Sequence, residues 1–283
     1  MQSFFTPDGA RLAYKDERSG LPLLCLAGLT RDSRDFDYLS RHLPEEVRMI
    51  RLDSRGRGRS SWTGPDSYTV SQEANDALGL LGHLQIDRAA ILGSSRGGLI
   101  AMLLGATHPD RVLGVCLNDV GPVIERGGLE RIATYVGVAP AVHTLAEIVD
   151  RLPHASPGFY GVPETRWAEE AVRRFEEADG SLELTYDPDI RIALQATLDS
   201  PVQDLWPIFD ACRAIPMALL RAEHSDIISR ETALEMQRRR PDLLWTEVRD
   251  RGHVPFLDER EAISLVQRWI EQCRQRLNTA DTQ

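Results

Sequence analysis

Gly93-Ser94-Ser95-Arg96-Gly97 stands between a continuous apolar run at 89–92 and a helix-like apolar segment at 98–107. That order requires a strand, a sharp turn and a helix in immediate succession. A turn so tight leaves no room for side chains at its flanks, so glycine at 93 and 97 frames Ser95 at the apex and pushes its hydroxyl above the sheet. Ser94 does not fit this frame, because it would need glycines where Leu92 and Arg96 stand. Glycine and serine are common enough for the five-residue pattern to arise by chance. Its weight comes from the strand before it and the helix after it.

Runs at 22–27, 47–52, 112–119, 215–221 and 243–248 are likewise mainly apolar. Strands covered on both faces read like this, whereas a half-exposed strand alternates. Helical segments fall between the runs. In front lies an antiparallel entry hairpin, whose second strand at 10–16 follows the turn Pro7-Asp8-Gly9. The pattern predicts an α/β fold with a mostly parallel central sheet flanked by helices. Between 121 and 207 the alternation stops, and helical stretches such as 167–178 join loops rich in proline and glycine at 153–163. The expected organisation is therefore a core made of 1–120 and 208–283, with a helical cap inserted at 121–207. No internal repeat or low-complexity tract interrupts it.

Serine is a weak nucleophile until a base takes its proton, so Ser95 calls for a histidine and a carboxylate far away in the chain. His253, in Arg251-Gly252-His253-Val254-Pro255, follows a strand and precedes the final helix, where a loop can hang an imidazole over a sheet edge. His224 is the competing histidine. For the acid, the loop Ala222-Glu223-His224-Ser225-Asp226 follows the run at 215–221, and Asp226 is the first choice. Asp119, at the end of the strand at 112–119, and Glu223 are the alternatives.

These features together resemble the α/β-hydrolase superfamily over nearly the whole chain. Leu23-Leu24-Cys25-Leu26-Ala27-Gly28-Leu29 is similar to the strand that ends in His-Gly in many members, with Ala27 in the histidine's place. Asp53-Ser54-Arg55-Gly56-Arg57-Gly58-Arg59-Ser60 matches the family's D-x-R-G-x-G-x-S loop. His108-Pro109-Asp110-Arg111-Val112 and Asn118-Asp119-Val120-Gly121-Pro122 resemble its entry to and exit from the next strand. The resemblance implies a serine hydrolase cleaving a carboxylic ester or lactone through a Ser95 acyl-enzyme, with Ser95, Asp226 and His253 as the triad. The backbone N–H groups of Leu29 and Arg96 are the implied oxyanion donors. The same fold also carries carbon-carbon bond hydrolases, thioesterases and acyltransferases, and a different class of relative serves as a small-molecule receptor. Cap aromatics are mostly core by the usual weighting; Tyr135 and Trp206, near the ends of the insertion, are the first choices for substrate contact. The Arg96 side chain has two readings, a substrate carboxylate or an internal acid.

Composition narrows the partners. With 283 residues, 42% hydrophobic and 27% charged, the chain can bury a large core. Its net charge of −10 and isoelectric point near 5.3 disfavour a polyanion, so no nucleic-acid partner is expected. Arg55-Gly56-Arg57-Gly58-Arg59 lacks the lysine of a phosphate-binding loop and reads as a solvated turn. No apolar run is long enough to cross a membrane, and the first residues lack a basic segment ahead of an apolar one, so a cytoplasmic location is expected. Cys25, Cys116, Cys212 and Cys273 are far apart and read as reduced core thiols, not a disulfide or metal set. Lys15 is the chain's single lysine, which leaves almost no candidate for Schiff-base chemistry. No cofactor and no metal are expected; the partner is a small-molecule ester or lactone.

Overall fold

Strands β1 (Gln2–Phe5) and β2 (Arg11–Glu17) open the computed structural model, which describes residues 1–178 and 180–280. They pair antiparallel, as the entry hairpin requires. β3 (Leu21–Leu26), the short helix α1 (Asp37–Ser40), β4 (Val47–Leu52) and α2 (Val70–His83) follow, then β5 (Ala89–Ser94), α3 (Arg96–Thr107) and β6 (Val112–Asn118). Beyond β6 come helices α4 (Arg126–Ala133), α5 (Leu145–Ala155) and α6 (Glu164–Arg174), the hairpin β7 (Phe175–Ala178) and β8 (Ser181–Leu184), and helices α7 (Ile190–Asp199) and α8 (Trp206–Ala211). The main sheet resumes with β9 (Met217–Ala222), α9 (Arg230–Arg239), β10 (Leu244–Val248) and α10 (Arg260–Ala280).

Eight strands form the sheet in the order β1-β2-β4-β3-β5-β6-β9-β10. From β4 to β10 every neighbouring pair is parallel. Side chains alternate across a strand, and the two faces accordingly feed two apolar layers. Leu24, Leu26, Ile91, Val115, Leu117 and Leu219 pack into one layer, with residues of α2, α3 and α9. Leu23, Cys25, Leu92, Cys116, Ala218 and Leu220 pack into the other, with α10. Both β5 and β6 are buried at every position, which explains their unbroken apolar runs.

Of the segments expected as core and insertion, Asp179 and residues 281–283 lie outside the described residues. The segment after β6 carries a small apolar cluster of its own, built from Val142, Ile148, Leu152, Trp167, Ala171 and Leu182. Other residues of it, among them Ile132, Tyr186 and Ile190, join the main core. One helix is shorter than its pattern predicts: the stretch at 167–178 is helical only to Arg174, and Phe175 turns extended to begin β7. Pairing with β8 across a turn at Gly180, whose φ is 77°, outcompetes a last helical turn and brings Leu182 into the cluster. No helix among the described residues is long and apolar enough to cross a membrane.

Two glycines at the strand-to-helix turn are there for space. A Cβ on Gly93 would lie 2.1 Å from the Gly97 carbonyl oxygen, and one on Gly97 would lie 2.0 Å from the Leu26 carbonyl oxygen. Between them Ser95 takes φ 50° and ψ −117°, a conformation that costs free energy for any residue with a Cβ. The parallel register sets Leu26 beside Gly93 and Ser94 beside Asn118, so Ser95, the Ala27-Gly28-Leu29 loop and Asp119 all emerge at the carboxyl ends of adjacent strands. Crevices at that edge are where open α/β sheets place their ligands.

Candidate active site

The Ser95 Oγ donates to His253 Nε2 at 2.8 Å, and His253 Nδ1 donates to Asp119 Oδ2 at 2.7 Å. A carboxylate can only accept, so the proton sits on Nδ1 and leaves the Nε2 lone pair facing the hydroxyl. Asp119 is fully buried, with φ 59° at the end of β6. Its carboxylate is well supplied with donors. Ser225 Oγ donates to Oδ2 at 2.8 Å, and the Ala222 N–H donates to Oδ1 at 2.7 Å. The histidine loop is anchored to the same strand, where Asn118 Nδ2 donates to the Pro255 carbonyl at 3.2 Å and to Ser94 Oγ at 3.0 Å.

The carboxylate that meets His253 is therefore Asp119 and not Asp226, the first choice of the residue pattern. Asp226 is engaged by Arg131, which donates from Nε to Oδ2 and from Nη2 to Oδ1, the latter at 3.0 Å. Burial alone would raise the Asp226 carboxyl, but the Arg131 hydrogen bond and charge outweigh it and hold the group below its usual range. His253 lies close enough to feel that charge, yet its Nδ1 proton goes to Asp119. The physical reason is division of labour at the end of β9: the Ala222 N–H and Ser225 hydroxyl of this loop hold the acid of the neighbouring strand, leaving Asp226 for the ion pair. Glu223 and His224 are exposed and do not join the Ser95 chain. With Asp250 they form a surface group whose candidate ligand atoms lie within 4.8 Å of one another. All four cysteines are free and buried, and burial pushes Cys25 and Cys212 up to about 12, which disfavours the thiolate form at both.

Arg96 opens α3, so its N–H has no acceptor within the helix. Its side chain resolves the two readings in favour of an internal acid. Nε donates to Glu73 Oε2 at 3.0 Å, and Nη2 donates to Glu73 Oε1 at 2.8 Å and to the Tyr68 carbonyl at 2.7 Å. The arginine-glycine loop departs further from expectation. Arg55 and Arg57 are buried, not solvated. Two carboxylates on one face of α2 account for this: Asp76 accepts both Nε and Nη2 of Arg55 at 2.6 Å, and Glu73 accepts Arg57 Nη1 at 3.1 Å. Only the helical spacing of Glu73 and Asp76 beside the buried Ala77 and Leu80 hints at it in the sequence.

Arg31 ties the loop after β3 to the insertion. Its Nε donates to Asp35 at 2.9 Å and its Nη2 to Glu170 of α6 at 2.7 Å. Its stem passes beside Ser95: Arg31 Cγ and Ser95 Cβ lie 3.5 and 3.7 Å from the position a Gly28 side chain would take. The two aromatics expected at the substrate separate. Tyr135 is exposed as a residue, while desolvation at its hydroxyl pushes the phenol up and the group lies in the field of Arg131, Arg174 and Asp226, the last of which also feels His253. Trp206 instead packs edge-on against Phe209 and carries the Arg239 guanidinium 4.0 Å over its ring, which assigns it to the seam of α8 and α9. Tyr135→Ala should change the preference among acyl chain lengths by about tenfold. Trp206→Leu should leave the preference alone and lower stability by about 1 to 2 kcal/mol through the lost stacking and burial. Hydrolysis of nitrophenyl esters of graded length, with thermal melts of each variant, checks both.

The family model described as "Alpha/beta hydrolase family" matches residues 23–264. The chain is 33% identical over 261 residues to a 3-hydroxybutyrate-oligomer hydrolase of Cupriavidus necator, covering 88% of this chain and 89% of that one. A 2-(acetamidomethylene)succinate hydrolase of Mesorhizobium japonicum is 26% identical over 234 residues, 82% of this chain and 81% of its own. Among solved structures, an alpha/beta hydrolase from Novosphingobium aromaticivorans superposes with a TM-score of 0.89 at 36% identity, over 96% of this chain and 97% of that one.

Proposed function

The chain belongs to the alpha/beta hydrolase family, and on that premise we propose that it hydrolyses a carboxylic ester through an acyl-enzyme on Ser95. The hydrogen-bonded line from Ser95 Oγ through His253 to Asp119 is the observation that carries the reading. His253 Nε2 takes the hydroxyl proton as Ser95 attacks the carbonyl carbon, then returns it to the leaving alcohol. Water enters by the same route in reverse: His253 accepts its proton, and the acid leaves as Ser95 Oγ regains one. Asp119 keeps the proton on Nδ1 and stabilises the imidazolium that forms twice per cycle. The N–H groups of Leu29 and Arg96 receive the carbonyl oxygen as it becomes negative, a contribution of roughly 3 to 4 kcal/mol per donor.

The Cupriavidus relative is described by its action on oligomers of a hydroxy acid, which are chains of ester bonds. Linear esters of short hydroxy acids are accordingly the substrates proposed first, ahead of lactones. Steady turnover of a 3-hydroxybutyrate dimer or trimer, faster than hydrolysis of simple lactones, is the expected result. A single burst with no subsequent turnover on any ester, together with a ligand-dependent rise in melting temperature, would instead favour a receptor. Turnover of thioesters or diketones alone would move the reaction elsewhere in the family.

A further inference from the structure

Arg57 touches neither the serine nor the histidine, yet it reaches the loop that carries a proposed oxyanion donor. Its Nε donates to the Leu29 carbonyl oxygen at 2.7 Å. The peptide one step earlier is fixed as well. The Gly28 carbonyl accepts the Arg31 N–H at 3.1 Å, and in a planar trans peptide the Leu29 N–H must then point the opposite way. Both peptides around Leu29 are thus held in orientation, one from the loop's own turn and one from Arg57.

Arg57 is held in turn by Glu73, which also binds Arg96. Glu73 is 3% exposed and Arg57 1%. Burial would raise the Glu73 carboxyl, but the charges of Arg57 and Arg96 outweigh it and hold the group below its usual range, so it is ionised. Two guanidiniums therefore share one carboxylate, and the buried group keeps one positive charge in excess.

We infer that Arg57 is a positioning residue for the oxyanion site, and that the Arg57–Glu73–Arg96 group couples the two chain segments bearing the donor N–H groups. The inference rests on the assignment of Leu29 and Arg96 as donors to a Ser95 reaction. Preorganised donors act on the transition state, where the oxygen is charged, and only weakly on the neutral ester. Loss of Arg57 therefore shows in kcat more than in KM.

Arg57→Met and Arg57→Lys, each counted by fluorophosphonate titration of Ser95, provide the test. Expected is a fall of about 10- to 100-fold in kcat per titrated site, with KM changed by less than about threefold. The affinity for a trifluoromethyl ketone, whose adduct carries the oxyanion, should fall by a similar factor. Lysine keeps the charge but cannot present the Nε–H to Leu29, so Arg57→Lys should fall in the same direction, and it carries the test if Arg57→Met does not fold. A merely structural role would lower the yield of titratable sites or the melting temperature and leave kcat per site and ketone affinity at the wild-type values. That result would overturn the inference. Absence of any label on Ser95 in the wild-type protein would instead remove the reading on which it rests.

Discussion

Ser95→Ala is expected to lower kcat for ester hydrolysis by on the order of 10⁶, with the fold and melting temperature preserved. The size follows from the role: the serine oxygen forms the covalent bond, and no buried thiol or neighbouring hydroxyl stands ready to replace it. Ser94 is the nearest alternative, but it is buried, ends β5, and has its hydroxyl engaged by Asn118. The remaining structure should tolerate the change, because Oγ has His253 as its partner and the backbone of the turn is set by Gly93 and Gly97. A mutant that turns over esters at the wild-type rate would remove Ser95 from the reaction.

Asp119→Asn is expected to cost about 10⁴ in kcat, and Asp226→Asn less than about tenfold. An amide at 119 can donate as well as accept, which favours the tautomer with the proton on Nε2 and turns the lone pair away from Ser95. The amide would still fill the site of the carboxylate, its oxygen accepting from the Ala222 N–H while its NH2 takes the Oδ2 position and faces His253 and the Ser225 Oγ, which can turn to accept, so the fold should survive. Asp226 contributes to a half-exposed ion pair with Arg131, and pairs of that kind are worth little. Kinetics of the two variants on one ester, with circular dichroism to confirm folding, gives the ranking. A larger loss at 226 than at 119 would return the acid to the loop after β9.

Much of this architecture is legible in the residues because its causes are local. β5 and β6 are buried on both faces, so they read as mainly apolar runs, and the bounds of β4 and β6 lie within a residue of the expected ones. The turn at Ser95 is read from glycines whose necessity is steric and confined to a few residues. His253 stands in a loop between a strand and the last helix, and the structure sets it 2.8 Å from the Ser95 Oγ. The choice between Asp119 and Asp226 is different in kind. Both end or follow a strand at the same sheet edge, and what separates them is a left-handed backbone at 119 and an arginine 95 residues distant that claims 226. Arg57 is hidden for a similar reason. An arginine in a glycine-rich loop is ordinarily solvated, and only the fold brings Glu73 of α2 beneath it. The hairpin at Phe175–Ala178 shows the same limit, since its strand partner, not its own sequence, ends the helix.

If Ser95 is activated through His253 by Asp119, the rate at which a fluorophosphonate labels the protein reads that activation directly. Peptide mass spectrometry should find a single label, on Ser95, in the wild-type protein. The labelling rate should fall by several orders of magnitude in His253→Ala and Asp119→Asn while remaining close to wild type in Asp226→Asn. Labelling at Ser94, or a rate that depends on Asp226 and ignores Asp119, would contradict the account.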